Sequence, residues 1–261
     1  MKNKNNKLNL AIYIILRFIV ILVLVREVFI NEWANVFLCI LTLVSFTIPA
    51  ILDKRLNIKL PNALEYSILL FIFSSAILGE IVNFYGVFKF WDSLLHIVNG
   101  FLCAAIGFSL VDILNRNKRF LFKMTPIFVS LVAFCFSMTI GILWEFFEFG
   151  ADNIFKTDMQ KDTVVSSISS VYLEPSGKNI PIIIDNISHT VIYNTDKDGN
   201  VYETTIEGGY LDIGLIDTMK DLMVNFIGAL IFTSFGYLYI RNRKEYNFAE
   251  KFIPTLKTKS D

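Results

Sequence analysis

The chain has 261 residues, 24 basic against 24 acidic side chains, 54% hydrophobic residues, 25 phenylalanines and a mean hydropathy of +0.54. So apolar a composition excludes an ordinary soluble domain, and a chain with no basic surplus has little to offer a nucleic acid. The expected class is a membrane protein.

Apolar runs of roughly 20 residues, enough to cross ~30 Å of hydrocarbon, occur at about 8–29, 33–52, 63–85, 92–114, 126–150 and 216–240. The first run follows Lys2, Lys4 and Lys7 as a signal peptide would, but it is too long for a signal core and no small-x-small cleavage pattern precedes Arg26 and Glu27, so it reads as a retained helix. The expected fold is an all-α membrane bundle of six transmembrane helices with a small β-rich extracytoplasmic insertion between the fifth and sixth. Residues 1–150 would carry the first five helices, 151–215 the insertion, 216–240 the sixth helix and 241–261 a basic cytoplasmic tail.

Basic residues set the orientation. Sixteen of the 24 fall in the N-terminal tail, around Lys54, Arg55 and Lys59, in the loop with Arg116, Lys118, Arg119 and Lys123, and in the C-terminal tail with Arg241, Arg243, Lys244, Lys251, Lys257 and Lys259. All lie on one side of a six-span chain, which predicts cytoplasmic N- and C-termini in a bacterial cytoplasmic membrane. Eighteen of the 24 carboxylates lie toward the other side, so the neutral total conceals an acidic outer half.

The segment 151–215 changes abruptly to Ser, Thr, Asn, Asp and β-branched residues. Residues 188–209 form two extended stretches about Asp198-Gly199, a hairpin signal, and 163–174 and 180–184 add further strands. Asp196, Asp198, Asn200 and Glu207 occupy positions 1, 3, 5 and 12 of a calcium loop, yet position 6 is Val201 rather than glycine, which favours a solvated turn. "EPSGK" (174–178) lacks the further residues of a phosphate loop or a lipid-phosphatase signature and reads as a turn. Cys39, Cys103 and Cys135 all fall in the expected spans, so no disulfide framework is implied.

Polar residues inside the spans carry the functional signal, because a charge near the bilayer centre costs roughly 2.5–3.5 kcal/mol. In "GILWEFFEFGADN" (141–153), Glu145, Glu148 and Asp152 share one helix face; in "WDSLLHIVNG", Asp92, His96 and Asn99 do the same; in "IDTMKDLMVNFIGA", Asp217, Asp221 and Asn225 step by four. Glu80 reaches the same depth on the third span, and Arg26 on the first could join them. Four helices thus deliver polar groups to one band of the outer leaflet, which predicts a shared, partly wet pocket or, equally, a purely structural hydrogen-bond and ion-pair network between the helices. His96 with Glu145 and Glu148 is a donor set suited to zinc, manganese or iron, although no paired-histidine motif is present and His189 reads as a surface residue. Arg17, near the middle of the first span, calls for a buried partner or a water-filled cleft.

The blocks "WDSLLHIVNGFLCAAIGF", "WEFFEFGAD", "MQKDT" and "DTMKDLMVNFIGAL" resemble those of the YjdF-like bacterial inner-membrane proteins over roughly residues 75–235. More distantly, Asp92 with His96, a glutamate segment followed by Gln160, and Asp221-Leu222 with Asn225 and Gly228 are similar to the pattern of VanZ-like proteins, a family associated with teicoplanin resistance. The resemblance implies a bacterial cytoplasmic membrane protein and groups the polar blocks as one unit. It supplies no catalytic residue, and the insertion between Asp162 and Asp217 departs from shorter relatives.

The functional expectation is an envelope protein whose outer pocket, lined by Glu80, Asp92, His96, Asn99, Glu145, Glu148, Asp152, Asp217, Asp221, Asn225 and Arg26, binds a lipid headgroup or small envelope ligand. Two rivals are a metal-assisted lipid hydrolase or transferase, with a divalent cation on His96 and Glu145 or Glu148, and an ion-coupled transporter that would use Arg17. Membrane lipids are the expected partners, and nucleic acid is not.

Overall fold

The computed structural model describes residues 2–55, 58–116 and 123–257. Helix α1 runs Lys2–Phe29, and the expected second span divides into α2 (Trp33–Ser45) and α3 (Ile48–Arg55). Pro49 explains the break: it has no N–H to give the carbonyl four residues back, so the helix ends before it and restarts. Strand β1 (Ile58–Lys59) precedes α4 (Asn62–Phe73), which continues as a π-helical stretch, Ser74–Ile81. Asn83, at a left-handed φ of 63°, then opens the short α5 (Phe84–Val87) and accepts a hydrogen bond from the Gly86 N–H. The long helices α6 (Trp91–Arg116), α7 (Pro126–Phe155) and α8 (Leu215–Arg241) follow.

Between α7 and α8 lie β2 (Val164–Val165), β3 (Ile168–Ser170), a 3-10 turn (Val171–Leu173), β4 (Ile182–Ile184), β5 (His189–Thr195), β6 (Val201–Glu207) and β7 (Tyr210–Leu211). These pair as antiparallel two-stranded sheets β2–β7, β3–β4 and β5–β6. Among the described residues, five helical segments are long and apolar enough to cross a membrane: Trp33–Arg55, Asn62–Ile81, Trp91–Asn115, Pro126–Phe155 and Leu215–Arg241. The protein is a mostly helical membrane protein with small antiparallel sheets.

The chain forms two compact units. The first holds everything up to Leu143 and from Asp221 onward. One of its apolar centres joins Leu16 and Val20 of α1 to Cys39, Phe46, Leu69, Phe73 and Ile77. The other joins Ala104, Ala105 and Phe108 of α6 to Val129, Ala133, Ala229 and Phe232, and also takes in Ala249 and Ile253 from the C-terminal segment. That segment, expected to be a basic tail, instead folds back. Phe252 meets Phe101 edge to face at 5.1 Å, β8 (Thr255–Leu256) pairs with β1, and Lys257 reaches Asp53 at 2.6 Å. Arg243 grips the fully buried Asp112 through both guanidinium nitrogens, at 2.7 and 3.3 Å, while lying over the Tyr239 ring. Of the basic residues expected to mark that face, Lys118, Arg119 and Lys259 lie outside the described residues.

The second unit is Trp144–Lys220, made of the end of α7, the strands and the start of α8. Carboxylates clamp its connecting chain. Asp152 accepts from the Thr157 hydroxyl and from the Met159 and Gln160 N–H groups at 2.7–2.9 Å. Asp217 accepts from Lys161 N–H at 2.9 Å, and Asp212 from the N–H groups of Thr163, Gly214 and Ile216.

Candidate functional site

Helix α6 opens with Trp91, whose indole N–H donates to the Ser74 carbonyl in the π-helical stretch, and Asp92 stands in its first turn, where the helix N-terminus favours negative charge. Four residues on, His96 comes back to the same face. Helix α8 brings Asp221 from the other side. Two glycines permit this approach: a Cβ on Gly100 would overlap the Asn225 carbonyl, and one on Gly228 would overlap the carbonyl of Ile97.

The result is a compact donor group within the first unit. His96 Nε2 lies 3.7 Å from Asp92 Oδ1 and 3.8 Å from Asp221 Oδ2. Asp92, His96 and Asp221 each present one donor atom, and the three atoms lie within 4.8 Å of one another. Asp221 and His96 are buried and Asp92 is half-buried, so the group opens on the Asp92 side.

One turn deeper, the Asn99 side-chain amide donates to Asn225 Oδ1 at 3.1 Å. Asn225 is fully buried and fits because position 141 is glycine: a Cβ there would come within 2.7 Å of its amide nitrogen. Ser137 of α7 donates to the Gly100 carbonyl at 2.8 Å, tying a third helix to the crossing. Asn99 and Asn225 therefore form a hydrogen-bonded floor beneath the two aspartates and the histidine.

Asp92, His96, Asn99, Asp221 and Asn225 thus come together. Arg26 stays with Glu27, with which it forms an ion pair, and the buried Glu27 also accepts from Asn35 at 2.9 Å. Glu80 is exposed on the π-helical stretch. Glu145, Glu148, Asp152 and Asp217 belong to the second unit. There Glu145 and Glu148 are buried, Glu148 accepts from the Trp144 indole at 2.8 Å, and Asp152 and Asp217 hold main-chain donors. Arg17 hydrogen-bonds Tyr13 at 2.9 Å and lies 4.1 Å over its ring, and the Tyr13 hydroxyl donates to the Phe46 carbonyl.

The remaining sequence candidates resolve locally. Asp196 accepts from the Asn200 amide and N–H, the Tyr202 hydroxyl and the Asp198 N–H, which hold its carboxyl below the usual carboxylate range. Its oxygens thus serve its own turn. Glu174 does the same for Ser176 and Lys178 within "EPSGK". All three cysteines are free. Glu27 and the Asp112–Arg243 pair went unrecognised in the sequence; for Glu27 the available signal was an acid abutting Arg26 at a helix end, eight residues before Asn35.

Helices able to cross a membrane, with a histidine and an aspartate buried where two of them meet, define a multi-span helical membrane protein. A family model described as a predicted membrane protein, DUF2238, matches residues 10–242, and the chain belongs to that family. It is 28% identical over 106 residues to an uncharacterized protein of Thermotoga maritima, a match covering 41% of this chain and 53% of the relative. The chain thus spans about half the length of the curated relative it matches. No solved structure matches.

Proposed function

We propose that the protein is a six-span protein of a bacterial cytoplasmic membrane that holds a divalent cation on Asp92, His96 and Asp221. Through that ion it binds the anionic headgroup of a lipid or small envelope ligand. The carrying observation is the gathering of three donor atoms within 4.8 Å. Two carboxylates and a neutral imidazole balance a divalent charge, which offsets the cost of burying them together. Bonds of about 2.1 Å in a tetrahedral shell separate donors by ~3.4 Å. The two separations from His96, 3.7 and 3.8 Å, are a few tenths wider than this, and the third donor pair lies within 4.8 Å. Three protein ligands leave a position open for a ligand oxygen.

Topology supports the reading. Tyr13 meets Phe46 and Glu27 meets Asn35, contacts that run α1 antiparallel to α2 and support reading it as a sixth span. The β1–β8 pairing and the Lys257–Asp53 contact bring two basic segments together, which supports a cytoplasmic C-terminus by the positive-inside rule, and six spans would return the N-terminus to the same side. On this reading the strands of 151–215 form an extracytoplasmic insertion, and the resemblance of the polar blocks to YjdF-like and VanZ-like proteins accords with a bacterial membrane. The three-ligand count also favours a second reading, metal-assisted hydrolysis or transfer on lipid. Arg17 lends transport no support, since its described contacts are to Tyr13.

The test uses the full chain, purified, stripped with chelator and titrated with Zn2+ and with Mn2+ by calorimetry and native mass spectrometry. One ion per chain should bind, and His96→Ala or Asp221→Asn should weaken it at least ~100-fold. Equal binding by wild type and both variants would refute the proposal.

A further inference from the structure

In the second unit, the sheet β3–β4 and its adjoining turn expose Val171, Tyr172, Leu173, Ile180, Ile183 and Ile184, with Tyr172 93%, Ile183 63% and Ile180 60% accessible. The register puts Ile168–Ile184 and Ser170–Ile182 on one face and Ser169–Ile183 on the other, so each face of the sheet presents isoleucine. A two-stranded sheet in water is marginal at best and normally turns one polar face outward. Such a patch marks an interaction surface.

Two further observations select its partner. The first is tethering. Asp152 at the end of α7 binds the main chain of Met159 and Gln160, Asp217 at the start of α8 binds Lys161, and Asp212 binds Thr163. Val164 and Val165 then pair with Leu211 and Tyr210. The chain up to Val165 is thus pinned to the helix ends, and Ile168 follows three residues later, a reach of at most ~11 Å. The sheet is rooted beside the end of α7 and the start of α8, two helices long and apolar enough to cross a membrane.

The second observation is charge segregation. Residues 168–184 carry only Glu174 and Lys178, whereas 185–212 carry six acids and one lysine. Glu174 is itself turned inward onto Ser176 and Lys178. An anionic bilayer surface repels the acidic hairpin β5–β6 and admits the neutral, isoleucine-rich one, with Tyr172 suited to the headgroup level.

We propose that β3–β4 with its Val171–Leu173 turn is a membrane-dipping wedge, seated in the headgroup–acyl boundary of the leaflet at which α7 ends and α8 begins. This requires only that those two helices span, and it stands apart from the cation site.

The experiment places a single environment-sensitive fluorophore on full-length protein in which Cys39, Cys103 and Cys135 are replaced by alanine. The label goes on Ile183→Cys or, for comparison, on Glu203→Cys in the acidic hairpin. The protein is held one copy per nanodisc in phosphatidylcholine with a minority of phosphatidylglycerol. The 183 probe should be quenched by nitroxide on the lipid acyl chains, and aqueous iodide should quench it at least ~5-fold more weakly than the 203 probe, as expected for ~5–10 Å of immersion. Equal iodide quenching at the two positions would overturn the proposal. So would protection from iodide without nitroxide quenching, which would put protein against the wedge instead of lipid. Protection seen only when several copies share a vesicle would assign the patch to a second copy and overturn it as well.

Discussion

Replacing Arg243 with alanine tests whether the C-terminal segment is structural. Asp112 is 1% exposed and receives two guanidinium bonds, at 2.7 and 3.3 Å. Breaking a buried pair by removing one partner costs about 3–5 kcal/mol. The Arg243 side chain is 36% exposed, so solvent screens part of this, and the expected loss is about 2 kcal/mol. Some of it is packing, because the guanidinium also covers the Tyr239 ring. A cycle of Arg243→Ala, Asp112→Asn and the double variant, followed by SDS titration in mixed micelles, should give a coupling energy of ~1.5 kcal/mol or more. Hydrogen exchange across 249–256 should rise with it, since Ala249 and Ile253 enter the core only when the chain turns back at Arg243. Additive single effects, within ~0.5 kcal/mol, together with unchanged exchange would refute the argument.

The glycines at the α6–α8 crossing make an opposite pair with Gly150. Gly228→Ala should destabilise by about 2 kcal/mol, because its methyl would meet the Ile97 backbone, whereas Gly150→Ala, with nothing within 4 Å, should stabilise by up to ~1 kcal/mol in the same titration. At Asp212, burial opposes ionisation, but N–H donors from Thr163, Ile216 and Gly214 outweigh it and hold the carboxyl below its usual range. Its contribution is therefore present above the unfolded value of ~3.9 and is lost as pH falls through the lower folded value. Asp212→Ala should speed exchange at 214–218 at neutral pH at a cost of ~1 kcal/mol, with the difference from wild type vanishing in acid; a difference that persisted there would show that the carboxylate charge is not the cause. Chelator treatment of metal-loaded protein should lower its melting temperature, and the same treatment should leave His96→Ala unmoved.

The long helices were legible because each is a sustained apolar run, and the β5–β6 hairpin because Asp198-Gly199 punctuates alternating stretches. Pro49 marks the α2–α3 break, which the reading of 33–52 as one apolar run passes over. The π-helical stretch had no such marker: it depends on Tyr85 lying against Gly79 and Trp91 reaching the Ser74 carbonyl, contacts made only once the chain has folded. The same division holds at the site. Spacing placed Asp92 with His96 and Asp221 with Asn225, each on one helix face. Their meeting depends on Gly100 and Gly228 fitting against carbonyls more than 120 residues away in sequence, which no local pattern encodes. The packing of the C-terminal segment was hidden for a related reason: Phe248, Ala249, Phe252 and Ile253 are too few to form a recognisable apolar run among Arg243, Lys244, Glu245, Glu250 and Lys251.

The return of that segment has a bearing on biogenesis. Ala249, Phe252 and Ile253 are translated after every membrane-crossing helix, so the space they fill beside Phe101 and Phe232 closes only once the full chain has left the ribosome. A nonsense codon just after Arg241 would spare every hydrophobic helix and still yield a hollow bundle, a substrate for membrane proteases despite its intact insertion signals.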